Sequence, residues 1–155
     1  MAASKGVTNK GRWAFLSLAL TGAVAGLTTS FKAVLCTSAQ APTVDTNTLS
    51  QLTEVANGNG YTTGGLTVEK SATGFDSITQ DDAGDKAVAL IKDLSWTASG
   101  AGITARYLVL TDDNATEGDR NVFAWWELAD GADTVIPAGQ ALLIKDTPLE
   151  LTTPA

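Results

Sequence analysis

The side chains that carry most protein chemistry are scarce in this sequence. It has no His and a single Cys, Cys36. Without His there is no Ser-His-Asp triad, no His-based metal site and no base for most proton-transfer schemes. Cys36 sits in "FKAVLCTSA", a strand-like stretch with no base beside the thiol, and reads as a buried, inert side chain. It has no partner for a disulfide within the chain. The glycines of "GNGYTTGG" lack the lysine and the preceding strand of a phosphate-binding loop. Two acidic clusters invite a calcium test: Asp81, Asp82 and Asp85, and Asp112, Asp113, Asn114, Glu117 and Asp119. In the second, Glu117 stands where a helix-loop-helix calcium loop needs Gly, and the distal Glu is missing. Both clusters read as solvated turns. Asn114-Ala115-Thr116 is a glycosylation sequon that has meaning only in a secreted chain. The reading is therefore of a protein that is not an enzyme, with no catalytic residue, metal or cofactor.

Charge is unevenly distributed. Residues 1–44 hold Lys5, Lys10, Arg12 and Lys32 and no acid, a charge of +4. The other six bases and all 17 acids lie beyond, a charge of −11. An acidic body repels phosphate backbones, which argues against nucleic acid as the main partner. The basic leader suits an acidic protein surface or a solvated terminus. With 44% hydrophobic and 17% charged residues, 155 residues are enough for one domain with a proper core.

The stretch that must place the leader is "GRWAFLSLALTGAVAGL", residues 11–27. As a signal peptide it has a basic start, an apolar run and a small-residue motif "SAQA" at 38–41, but Lys32 and a strand-like segment intervene. As a membrane span, residues 13–31 are nineteen uncharged positions, of which five are Ser or Thr and two are Gly, weak for insertion. As a docked helix it carries Trp13, Leu16, Leu20, Val24 and Leu27 at three- and four-residue steps, with Phe15 and Leu18 on a second face. Gly22 and Gly26 weaken its later half and favour an early end. One small domain seldom covers two faces of its first helix, so a second subunit is expected on one of them.

The rest of the chain reads as strands and turns. "NTLSQLTEVANGNG" predicts a short helix over about 48–57, with Thr48 and Gln51 at capping-box spacing and Leu49, Leu52 and Val55 buried. From Tyr61 the pattern changes to about seven or eight strands, with a bend at Gly64-Gly65, a break at Lys92 and Pro148 on an edge. Strict alternation puts Trp126 on a core face with Val122, Ala124 and Leu128, and turns Trp125 outward with Phe123 and Glu127. Trp125 is then either covered by a loop or the first helix, or an interface anchor. The fold expected is mainly β: an antiparallel, jelly-roll-like β-sandwich with an N-terminal helix and one short second helix. Residues 1–28 form a basic arm plus apolar helix, and residues 29–155 a single β-rich domain.

The stretches "TNKGRW", "FKAVLCTSAQAPTVDTNTLSQLTEVANGNGY" and "TARYLVLTDDNAT", with the strand around Trp125-Trp126, resemble a family of small virion structural proteins of tailed bacteriophages. The resemblance runs over most of residues 8–152 and involves no catalytic motif. It implies capsid decoration (cement), or else a tail or tail-fibre part that binds the host surface or neighbouring tail proteins. The leading expectation is a cement protein on the capsid exterior, made in the host bacterial cytoplasm. Its partners would be the major capsid protein and copies of itself, with no membrane. Its interface residues would be Lys5, Lys10 and Arg12 for steering and Trp13, Phe15, Leu16 and Leu20 for burial, with Phe123 and Trp125 on the body. A carbohydrate-binding tail component would instead show Tyr61, Trp96 and Trp125 at loop tips. A free-standing ligand-binding sandwich would be a monomer without sticky surfaces.

Overall fold

A computed structural model describes residues 4–22 and 30–152. In chain order the elements are β1 (Lys5–Val7), α1 (Asn9–Thr21), β2 (Ser30–Cys36), β3 (Leu66–Glu69), β4 (Phe75–Asp81), β5 (Lys86–Ile91), β6 (Leu94–Thr97), β7 (Ile103–Ala105), β8 (Tyr107–Asp112), β9 (Val122–Glu127), β10 (Thr134–Ile136), β11 (Ala141–Ile144) and β12 (Thr147–Thr152). The fold is mainly β, with antiparallel sheets and one α-helix. A five-stranded sheet runs β1-β9-β8-β2-β3 and a three-stranded sheet runs β12-β5-β4; β10 pairs with β7, and β11 with β6. The strands are shorter and more numerous than the hydrophobic pattern suggests, because several runs change sheet midway. "KAVALIKDLSW" does so at Lys92: β5 pairs with β4 and β12, whereas β6 pairs with β11. "ITARYLVLT" does so at Arg106, where β7 ends and β8 begins, and there its alternation slips. Ile103 and Ala105 belong to the same apolar cluster as Leu108 and Leu110, while Tyr107 and Val109 belong to another.

The expected helix over 48–57 is only one 3-10 turn, Leu49–Gln51, although Thr48 and Gln51 do form the capping box. The backbone beyond it is used by β2. The Thr37 N–H donates to the Thr53 carbonyl (2.8 Å) and the Val55 N–H to the Leu35 carbonyl (2.9 Å). Residues 53–55 thus run beside the end of β2, and a helix there would break those bonds.

Strand β9 departs from strict alternation. Its register with β8 passes from Leu110 opposite Ala124 to Thr111 opposite Val122, leaving Phe123 as an extra residue in a β-bulge. The bulge turns Phe123 inward beside Ala124 and Trp126, where its ring meets Phe15 at 5.8 Å and Phe31 at 5.7 Å between centroids. Val122 and Trp125 face the other way, into a cluster with Val34, Cys36, Tyr107 and Val109 that Leu49 and Leu52 complete.

The N-terminal segment is built into this sheet. Lys5–Val7 pairs with Ala124, Trp125 and Trp126, so part of the expected basic arm is an edge strand. Thr8, fully buried, then starts the helix. Its N–H donates to the Phe123 carbonyl (2.9 Å), its hydroxyl donates to the Val122 carbonyl, and the same oxygen caps α1 by accepting from the Gly11 N–H (2.8 Å). α1 ends at Gly22, whose left-handed backbone forms the C-cap, as the glycine pattern suggests. Val24, Leu27 and Gly26 lie outside the described residues. Among the described residues no helix is long and apolar enough to cross a membrane. Cleavage at residues 38–41, as in a signal peptide, would remove β1 and the interior strand β2 from the sheet, and α1 with them.

Gly11 fixes how closely α1 approaches β9. A Cβ there would lie 2.2 Å from the Phe123 carbonyl oxygen and 2.8 Å from its Cα, both backbone atoms that cannot swing aside. In an isolated helix Gly→Ala would gain about 1 kcal/mol. Here Gly11→Ala is expected to lose about 1–3 kcal/mol by overpacking, measured by urea denaturation. A stabilised variant would show that α1 is not seated on β9.

Candidate interaction surface

α1 has two sides of different fate. Gly11, Ala14, Phe15 and Leu18 turn toward the body, the first two buried and the others partly so. Trp13, Leu16 and Leu20 lie on the opposite side and are 49%, 61% and 75% exposed. The division expected from the sequence, one face covered by the domain and one left over, is present in the described part of the helix. Lys10 extends along this outer side with its Nζ 4.3 Å above the centre of the Trp13 ring. Among the described residues neither Lys10 nor Arg12 forms an ion pair. α1 has no acid in its first turn, so Lys10 there opposes the helix dipole at a cost of a few tenths of a kcal/mol.

Beside α1, between it, β1 and β12, runs a groove of about 660 Å³. It gathers five of the residues singled out from sequence: Lys5, Arg12, Phe15, Leu16 and Trp125. Ala19, Val44, Glu150 and Leu151 are among the other residues of its wall. The sequence does not announce these four, because three elements far apart in the chain bring them together. Trp125 contributes little surface: it is buried in the domain, so the covering of Trp125 falls to this chain itself. Phe123 is corrected more fully. It is fully buried and on the opposite face of β9 from Trp125, because the bulge inverts the alternation there. An unbroken apolar run such as "VFAWW" carries no sign of where an extra residue sits.

Lys5 is not a free steering charge. Its ammonium lies 2.8 Å from the Glu150 carboxylate, which Lys86 also reaches at 3.2 Å. The hydrogen bond from Lys5, together with that from Lys86, holds the Glu150 carboxyl below the usual carboxylate range. The pair ties β1 to β12 across two sheets.

The aromatics of the carbohydrate-binding alternative are all inside. Tyr61, Trp96 and Trp125 are buried. Tyr61 donates its hydroxyl to Glu54 (2.6 Å) and accepts from the Leu35 N–H (3.1 Å), fixing residues 54–61 against β2. The first two acids of the 112–119 loop are satisfied from within, while Asp119 is exposed. Asp112, fully buried, accepts from the Asn114 and Asn121 N–H groups and from the Asn121 side chain, and Asp113 accepts from the Ser30 N–H and hydroxyl. Among the described residues no group of three or more His, Cys, Asp or Glu side chains is placed to hold a metal ion. Cys36 is fully buried, and burial pushes its thiol up to about 12, where the thiolate needed for nucleophilic attack does not form near neutrality.

A second groove, of about 510 Å³, lies on the other flank of α1. It is walled by Phe15 and Leu18 and floored by the three-stranded sheet, with Ile78 78% exposed at its rim.

Glu150 gives a pH-dependent test of the β1 tether. A carboxyl held low stabilises the fold above its unfolded pKa, about 4.3, and loses that contribution as pH falls through the lowered native value. Glu150→Gln is expected to cost up to about 1 kcal/mol at pH 7, because the pair is partly solvated, and to cost nothing once acidification has protonated Glu150 in the parent. Denaturant titrations of both proteins across that range check this; an equal difference at all pH values would remove the tether.

No known protein family, curated protein or solved structure matches the chain.

Proposed function

We propose that this chain is a structural protein of a bacteriophage virion, a decoration or cement protein on the capsid exterior that works by adhesion rather than catalysis. One observation carries the reading. α1 is clamped to the sheet by Thr8, Gly11 and Phe15, yet displays Trp13, Leu16 and Leu20 to solvent beside Lys10 and Arg12. Large apolar side chains grouped on a rigid element mark a surface made for another protein. The two cations favour a partner surface that is acidic and orient it on approach. The resemblance of "TNKGRW", "FKAVLCTSAQAPTVDTNTLSQLTEVANGNGY" and "TARYLVLTDDNAT" to small virion proteins of tailed phages supports the same assignment.

The partners in this reading are the major capsid protein and other copies of the chain, with no cofactor and no catalytic residue. The jelly-roll-like, two-sheet sandwich belongs to the same proposal. Support for it comes from two apolar clusters on opposite faces of the β1-β9-β8-β2-β3 sheet. Placement in the tail remains the alternative location, but its carbohydrate-binding form loses its candidate aromatics to the interior.

Truncating the leader would unseat β1 and confuse binding with folding, so the test uses exposed side chains. The triple variant Trp13→Ser, Leu16→Ser, Leu20→Ser is expected to keep the parent's thermal midpoint within a few degrees. It is expected to lose at least about a hundredfold in affinity for capsids stripped of the protein, about 2.7 kcal/mol spread over three contacts. Co-sedimentation with such capsids measures it; undiminished binding would sink the adhesive role of α1.

A further inference from the structure

We propose that the outer face of α1 is received by a second copy of this chain, on the acidic apolar face of its β4–β5 hairpin. This rests on the adhesive reading of α1 and names the partner for that face.

The receiving face follows from register. Ile78 stands opposite Ala89, which stands opposite Leu149; Gln80 stands opposite Ala87, which stands opposite Leu151. These residues therefore share one side of the three-stranded sheet. Toward the core that side ends in buried Ile91 and Leu149. Toward the hairpin tip it runs past the core, leaving Ile78 exposed over the 510 Å³ groove. β4 is also the edge strand, so nothing in its own sheet lies beyond it.

The hairpin side of this face is acidic, and Lys70 also lines the groove beneath it. Residues 75–86 hold four acids and one base, Lys86. Lys86 is drawn to Glu150 and Asp81, at 3.2 and 3.8 Å. Asp76 lines the groove, and Asp82, in the turn just past β4, is exposed and accepts a hydrogen bond from Gln80. Neither Asp76 nor Asp82 has an ion pair among the described residues.

The face that fits is α1's. It has no acid, carries Lys10 and Arg12 at its start, and follows them with Trp13, Leu16 and Leu20. Lengths agree: from Lys10 to Leu20 a helix rises about 15 Å, and from Asp76 to Asp82 a strand spans about 20 Å. The unfavourable position of Lys10 against the helix dipole is relieved when acids face it. The contact cannot form within one copy. Trp13, Leu16 and Leu20 project from the side of α1 opposite Phe15 and Leu18, which wall the groove, and the helix is fixed by Gly11 and Thr8. Two different patches joined this way make a head-to-tail interface, which closes into a ring or extends as a chain.

A charge swap tests the pairing. Lys10→Glu with Arg12→Glu reverses the helix; Asp76→Lys with Asp82→Lys reverses the hairpin. Arg12, Asp76 and Asp82 are exposed and Lys10 is half-buried, and each double variant is expected to unfold within a few degrees of the parent, the helix variant slightly higher because acids suit its first turn. Sedimentation velocity of the full chain at rising concentration should show the parent self-associating, each variant alone associating at least about tenfold more weakly, and an equimolar mixture of the two regaining association. Raised salt should weaken the parent complex. A parent that stays monomeric, a hairpin variant that associates normally, or a mixture that does not recover would each overturn the proposal. If the serine triple variant loses capsid binding while the parent stays monomeric, α1 binds the capsid subunit and only this inference falls. If the mixture recovers but no copy binds capsids, self-association stands and the virion role falls.

Discussion

The seat of α1 on bulged β9 is the constraint from which the rest of the surface follows. Thirteen residues of helix are marginal alone, and this helix lacks favourable end charges. What holds it is contact: the Thr8 hydroxyl bridges the Val122 carbonyl and the first helical turn, Gly11 lets the two backbones touch, and Phe15 packs on the ring that the bulge turns inward. A regular β9 would point Phe123 the other way and leave α1 without its aromatic partner. The extra residue in one strand therefore decides where a helix a hundred residues earlier in the chain can dock.

That dependence explains what the sequence could and could not tell. The strand break at Lys92, the edge position of Pro148, the helix stop at Gly22 and the two-faced character of α1 were all legible, because each depends on local geometry or on side-chain period. The inward turn of Phe123 was not, since a bulge changes the phase without changing composition. The helix expected over 48–57 failed for a related reason. Its capping box formed, but β2 competes for the backbone of residues 53–55, and long-range pairing outweighed local propensity. The groove beside α1 was half legible: its helical wall could be named, whereas Glu150 and Leu151 arrive from the far end of the chain through β12.

Charge segregation gains meaning once the fold is known. Part of the basic leader is consumed inside the chain, Lys5 by Glu150 across the β1–β12 seam. Lys10 and Arg12 are not, and both sit at the start of a helix that would be better served by acids. Asp112 and Asp113 are likewise turned inward, whereas Asp76 and Asp82 are exposed on an edge hairpin. After these internal pairs are set aside, Lys10 and Arg12 flank the outer face of α1, and Asp76 and Asp82 belong to the β4–β5 hairpin.

Rigidity is what makes so small a helix face effective. Association must offset lost translational freedom and the ordering of side chains and backbone, and a segment that folds on binding adds several kcal/mol to that cost. α1 is ordered already by its seat on β9, Trp13 is steadied by Lys10 above its ring, and the hairpin face is held in register through β5 and β12. The apolar area displayed is modest, but most of its burial free energy is available to the complex. The same seat explains why Trp13, Leu16 and Leu20 remain outside: with Gly11 locked against the Phe123 backbone, α1 cannot roll to hide them without losing the contacts that hold it in place.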